Sequence, residues 1–284
     1  MDLSKISPIA LLCAKAKAEY TDLPYALQIY SLASQNQKWM KGVDMGLVKK
    51  SLDSDISGIS ILEGRHLAIN HALNELPDYT VLELGGGLSS RGLEMKDRHY
   101  IETDLPNMAL LKKDIVNKLR KNCETNPHYR VFSLNPLHAD EFISFGKALF
   151  QKRKSPVAII NEGLMMYLST EEQRQLMQNI ALFLEKYCPS GYWITSDLSS
   201  RPLPKEDNMN VVMNHIEQIT GRPFNRFNSD SEAHEFLRSA NMNGVTLPST
   251  HLVDKLSCLR KLNISRENAE SVCGLYRAWK ISLN

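Results

Sequence analysis

The sequence predicts an α/β protein: a doubly wound, mostly parallel seven-stranded sheet with an N-terminal helical cap and a C-terminal antiparallel hairpin. Three observations predict it. From Tyr79 onward short apolar runs alternate with helical stretches, the order that gives a parallel sheet covered on both faces. The first run, Val81-Leu82-Glu83-Leu84, stops at Gly85-Gly86-Gly87. Glycines there let the backbone turn sharply at the strand end where open α/β sheets bind ligands. Beyond Asp197 the alternation loosens, and the chain closes on two stretches of alternating apolar residues.

Residues 1–284 read as one domain, with a helical cap region over 1–77, a binding core over 78–198 and a variable region with closing strands over 199–284. The 43% hydrophobic and 23% charged content is that of an ordinary globular chain, and a net charge of +2 sets up no field for nucleic acid or membrane. Five cysteines without a C-x-x-C pair argue for free thiols rather than a disulfide framework or zinc site. No stretch reaches the ~20 apolar residues of a membrane span, and no leader precedes the first helix, so a cytoplasmic protein is expected.

The N-terminal block from Pro8 to Leu76 reads as helical. Ala10–Tyr20 is alanine-rich, Pro24 opens a second helix through Leu32, and Asp44–Leu52 makes a third. In the fourth, Ile59–Leu76, the residues Ile59, Leu62, His66, Ile69 and Leu73 share one face. This block precedes the first strand and is expected to cap the sheet's ligand end. Strands follow at Thr80–Leu84, His99–Glu102, Tyr129–Leu134, Val157–Asn161 and Tyr192–Ser196. Helices at Asn107–Asn122, Ala139–Phe150 and Thr170–Lys186 connect the last four; Ser169 or Thr170 caps the third, with Glu171 and Glu172 in its first turn. The remainder reads as helices at Val211–Thr220 and Ser231–Ala240 and strands within Gly244–Leu252 and Ser271–Leu283.

The glycine run is not the dinucleotide fingerprint, because Ser90 stands at the third glycine position. Glu83, just before Gly85, is poorly placed for a pyrophosphate and suits a cofactor with a cationic or hydroxyl-rich part, such as S-adenosylmethionine. Glu102 and Asp104 follow the second strand at the distance of a ribose-hydroxyl acceptor. Glu162 ends the fourth strand before Gly163, at the same sheet edge as Gly85. Arg65 lies one position off the apolar face of its helix, and its planar guanidinium suits a carboxylate. His66 reads as a helix residue rather than a ligand, and no histidine has metal-ligand spacing. The runs Lys112-Lys113, Lys118-Arg120-Lys121 and Lys152-Arg153-Lys154 read as solvated faces without interleaved aromatics, so nucleic acid is not an expected partner.

Glu83-Leu84-Gly85-Gly86-Gly87-Leu88-Ser89-Ser90-Arg91, Tyr100-Ile101-Glu102-Thr103-Asp104-Leu105-Pro106 and Glu162-Gly163-Leu164-Met165-Met166-Tyr167-Leu168 occur in that order. Together they resemble the leucine carboxyl methyltransferase family over roughly residues 8–200. That family is S-adenosylmethionine-dependent and includes polyketide-type O-methyltransferases and enzymes acting on a modified tRNA base. The resemblance implies that Gly85, with Gly86 and Gly87, lines the cofactor's methionine portion, that Asp104 with Glu102 holds the ribose, and that Glu162 lies beside the cofactor. It implies Arg65 and Lys17 at the cofactor carboxylate. Asn135 stands where the family usually has an aspartate near the adenine, which removes a negative charge and keeps hydrogen-bonding capacity.

The expected reaction is methyl transfer to a carboxylate or hydroxyl oxygen of a small molecule or peptide, and no metal is expected. No convincing catalytic base is visible; Asp197 and His215 are the nearest candidates, and Tyr167 and Arg201 are candidate substrate contacts. The alternatives are a tRNA-base carboxyl methyltransferase, a nicotinamide-dependent oxidoreductase, or a non-catalytic interaction protein that keeps the fold.

Overall fold

A computed structural model describes residues 7–36, 56–152, 156–198, 214, 217–218, 220–222 and 225–284. Its centre is a seven-stranded sheet in the order β3-β2-β1-β4-β5-β7-β6. The strands are β1 (Thr80–Leu84), β2 (Tyr100–Asp104), β3 (Tyr129–Ser133), β4 (Val157–Asn161), β5 (Tyr192–Thr195), β6 (Met242–Thr246) and β7 (Trp279–Leu283). The first five are parallel, while β7 runs antiparallel to both β5 and β6. The order reverses between β1 and its two neighbours, the switch point at which such sheets open a ligand crevice.

Strand periodicity divides the core in two. Val81, Ala158, Ile160 and Ile194 point into one apolar cluster, and Leu82, Leu84, Ile159 and Trp193 into the other. The first cluster is covered by α1 (Ser7–Tyr20), α2 (Ala26–Ser34) and α3 (Ile56–Asn74), then, after the single turn α4 (Arg91–Glu94), by α5 (Pro106–Asn122). The second is covered by α6 (Ala139–Phe150), α7 (Thr170–Tyr187) and α8 (Asp230–Arg238). The start of α7 follows the sequence reading: Ser169 and Glu172 exchange side-chain-to-backbone hydrogen bonds in a capping box. Pro106 opens α5, where the missing N–H costs nothing.

Several expectations need correction. The N-terminal block does more than cap: Ile69, Ala72 and Leu73 of α3 pack on the sheet face, while Leu62 and Arg65 reach its ligand edge. β2 runs two residues further than predicted, which puts Asp104 rather than Glu102 at the edge. Ser271–Tyr276 is helical, not strand. It comprises the end of α10 (Arg266–Val272) and a 3-10 turn at Cys273–Tyr276, reached through another 3-10 turn at Thr250–Lys255 and α9 (Ser257–Leu262). Val272, Leu275 and Tyr276 also fit three- and four-residue steps, and burial against α3 chose that period. At Gly64 of α3 the Tyr276 ring lies where a Cβ would be, 2.5 Å from that position. The predicted Asp44–Leu52 helix and most of Val211–Thr220 lie outside the described residues. The five cysteines are free thiols. Among the described residues no helix is long and apolar enough to cross a membrane.

Candidate active site

The carboxyl ends of β1, β2, β3 and β4 open into a cavity of about 430 Å³, roofed by Ile9, Ala10, Cys13, Ala14 and Lys17 of α1. β1 leads into it through Gly85 and Gly87, whose positive φ of 65° and 55° reverses the chain twice within three residues. Glu83, Gly85, Gly86, Gly87, Asp104, Asn135, Glu162 and Tyr167 all line this one space, as do Lys17 and Arg65. The structure brings together every residue assigned to cofactor binding from the sequence except Glu102.

Glu102 faces Glu83 across the β1–β2 register, so two carboxylates lie side by side under the sheet. Both are buried, and each has a cation of its own. Glu102 accepts from Lys112 Nζ at 2.9 Å and from the Tyr129 hydroxyl at 2.6 Å, beneath the glycine loop and away from the cavity. Burial raises its carboxyl, opposed by the Lys112 charge. Glu83 accepts from Arg91 Nη1 at 2.8 Å and the Tyr100 hydroxyl at 2.7 Å, so it forms the cavity floor with both oxygens engaged.

Arg91 joins the floor to the wall. It is fully buried and also donates to Glu162 and, at 2.7 Å, to Asn70 Oδ1. Glu162 completes the chain with Lys17 Nζ at 2.9 Å. Burial alone would raise the Glu162 carboxyl, but the Lys17 and Arg91 charges hold it well below the usual carboxylate range. Arg91 Nη2 also meets His66 Nδ1 at 3.3 Å, and His66 Nε2 meets Glu94 at 2.7 Å. A guanidinium only donates, so Nδ1 accepts and the proton sits on Nε2. Burial and the Arg91 charge depress the His66 pKa and keep the ring neutral.

Asp104 Oδ2 accepts from Gly87 N–H and Oδ1 from Leu105 N–H, both at 2.7 Å. Each oxygen keeps a second lone pair for a ligand hydroxyl. Burial raises this carboxyl and the two N–H groups oppose it. Asn135 Oδ1 accepts from Leu137 N–H at 3.1 Å, an Asx turn that fixes the side chain at the mouth of the cavity. Among the described residues Arg65 Nε is buried without a hydrogen-bond partner, and its Nη1 reaches the Met166 sulfur at 3.9 Å. Arg65 lines the cavity and carries a buried N–H that is unmet among the described residues, a state that favours an anion nearby.

The catalytic candidates separate. Tyr167 lines the cavity, and burial pushes its phenol well above the ordinary value, so it stays protonated. Cys13 beside it is likewise pushed up by burial. Asp197 is not among the residues that line the cavity. Its carboxylate accepts from Asn161 Nδ2 and from the N–H groups of Gly163, Leu164 and Met165 at 2.7–3.0 Å, which fixes the turn after β4. Arg201 and His215 lie outside the described residues.

Sequence reading assigned no role to Arg91 and took Lys112 for a solvated residue. The signal was available: a strand that buries an acid, Glu83 or Glu102, requires a cation within reach.

Residues 13–181, more than half of the chain, match the family model for leucine carboxyl methyltransferase. No curated protein sequence matches. Among solved structures, a DUF574 family protein from Streptomyces avermitilis is similar at 10% identity and a TM-score of 0.52, with 86% of this chain and 91% of that one covered. The mitomycin 7-O-methyltransferase MmcR is similar at 11% identity and a TM-score of 0.51, with 90% of this chain and 60% of that one covered. At such identities the likeness is one of fold.

Proposed function

Because this chain belongs to the leucine carboxyl methyltransferase family of S-adenosylmethionine-dependent enzymes, we propose that it methylates a carboxylate oxygen of a small molecule or peptide, with the cofactor held in the cavity between α1 and the glycine loop. The observation that carries this reading is that one cavity is lined both by Arg65, whose buried Nε–H is unmet among the described residues, and by Asp104 at the end of β2. The residues present fit the cofactor. Arg65 and Lys17 would hold its carboxylate, Asp104 its ribose hydroxyls and Asn135 the adenine edge. Glu83 and Glu162 place negative charge near its cationic portion.

The bound cofactor supplies a methyl carbon activated by a sulfonium. The protein's task is to align an acceptor oxygen with that carbon and exclude water. A hydroxyl acceptor needs a base, and among the described cavity residues none is poised to serve. Both oxygens of Glu83 and Glu162 are ion-paired or hydrogen-bonded, the remaining lone pairs of Asp104 go to the ribose hydroxyls in this reading, and Tyr167 and Cys13 keep their protons. A carboxylate acceptor arrives already ionised and needs none.

The test is a labelled-methyl assay on matched pairs of carboxylic acids and phenols. The expected product is an alkali-labile methyl ester formed from acids. Alkali-stable label on phenols, with acids unlabelled, would contradict the reading.

A further inference from the structure

Helix α5 carries a lysine on its buried face. Lys112 lies next to Leu111 and one turn from Met108 and Ile115, and it is 1% exposed. A buried ammonium is costly unless its three N–H groups are met. Lys112 Nζ donates to Glu102 Oε1 at 2.9 Å, to Ser89 O at 2.6 Å and to Gly87 O at 3.2 Å. The loop is therefore gripped at Gly87 from both sides, its N–H by Asp104 and its carbonyl by Lys112. Gly86 rests directly on the ion pair, since a Cβ there would stand 2.5 Å from Glu102 Cδ. Lys112 itself does not line the cavity, whereas Gly86, Gly87, Ser89 and Asp104 all do.

We propose that Lys112 is a positioning residue for cofactor binding. With Glu102 as counter-ion it fixes the loop from Gly85 to Ser89 and, through Gly87, the carboxylate of Asp104. The inference rests on the reading that this cavity holds the cofactor. A lysine retained for stability alone would be dispensable once both charges were removed together, because no stranded ion remains. A lysine that shapes the loop would not be.

The experiment is calorimetric titration of the full chain with S-adenosylhomocysteine, in wild type, Glu102→Gln and the Lys112→Met/Glu102→Gln double variant, with thermal melts of each. Glu102→Gln keeps the ammonium on both carbonyls; it is expected to melt lower than wild type, since it strands a buried charge, but to bind more tightly than the double variant. The double variant is expected to melt cooperatively and to bind about tenfold more weakly or worse. If it does not melt cooperatively, Lys112→Gln/Glu102→Gln is read by the same criterion, since its amide still reaches one carbonyl. A folded double variant with wild-type affinity would overturn the inference alone. Wild type that binds no S-adenosylhomocysteine would overturn the cofactor reading and this inference with it.

Discussion

Replacing Arg91 with methionine is expected to cost about 3–5 kcal/mol of folding stability, the range seen when one partner of a buried ion pair is removed. Arg91 answers two carboxylates at once, Glu83 in β1 and Glu162 after β4, and so ties adjacent strands together at the ligand edge. Without it Glu162 keeps Lys17, but among the described residues Glu83 keeps only the Tyr100 hydroxyl. The free energy is therefore lost chiefly as a stranded charge at Glu83. Urea unfolding of Arg91→Met should show a large fall in midpoint, and Glu83→Gln/Arg91→Met should recover part of it. A single variant within 1 kcal/mol of wild type would mean that Glu83 is not ionised in the fold, and the electrostatic description of the cavity floor would be wrong.

Asp197→Ala is the second large effect. Four donors converge on this carboxylate, three of them successive backbone N–H groups of the turn from Gly163 to Met165. Asn161, the fourth donor, is itself held by Trp193 Nε1 at 2.7 Å, so the turn is anchored through Asp197 to the interior of the sheet. Leaving buried donors unmet costs about 1–3 kcal/mol each, less where water enters, so a loss of about 3–5 kcal/mol is expected. Gly163, Leu164, Met166 and Tyr167 line the cavity, so cofactor affinity should fall together with stability. Asp197→Asn keeps an acceptor oxygen and should lie between wild type and Asp197→Ala on both measures. Asp197→Ala with wild-type stability and affinity but no turnover would restore this residue to the role of base.

The two predictions concern residues that the sequence revealed unequally. Periodicity located the parallel strands because a strand buried on both faces is an almost unbroken apolar run, and Val157–Asn161 can be little else. The glycines, Asp104 and Glu162 were legible because each ends a strand at the edge where ligands bind. Glu102 was misplaced for want of two residues of strand: whether an acid reaches the edge or stops beneath it depends on where β2 ends, the least legible feature of a strand. Lys112 and Arg91 were hidden for a different reason. A charged residue on a helix is normally solvated, and only the partner's position, carried on a strand distant in sequence, shows that it is not. The closing strands were blurred because one alternating pattern was read over Ser271–Leu283, whereas Val272, Leu275 and Tyr276 step by three and four as a helix does.

The central claim is that this cavity binds an adenosyl amino acid through Asp104 on one side and Arg65 on the other. Its most direct test is calorimetry with S-adenosylhomocysteine on wild type and Asp104→Ala. Hydrogen bonds from a charged carboxylate are worth about 1.5–3 kcal/mol, so the account predicts saturable one-to-one binding by wild type and an affinity lower by roughly ten- to over a hundredfold in the variant. Binding that is undetectable in wild type, or equal in the two proteins, would contradict it.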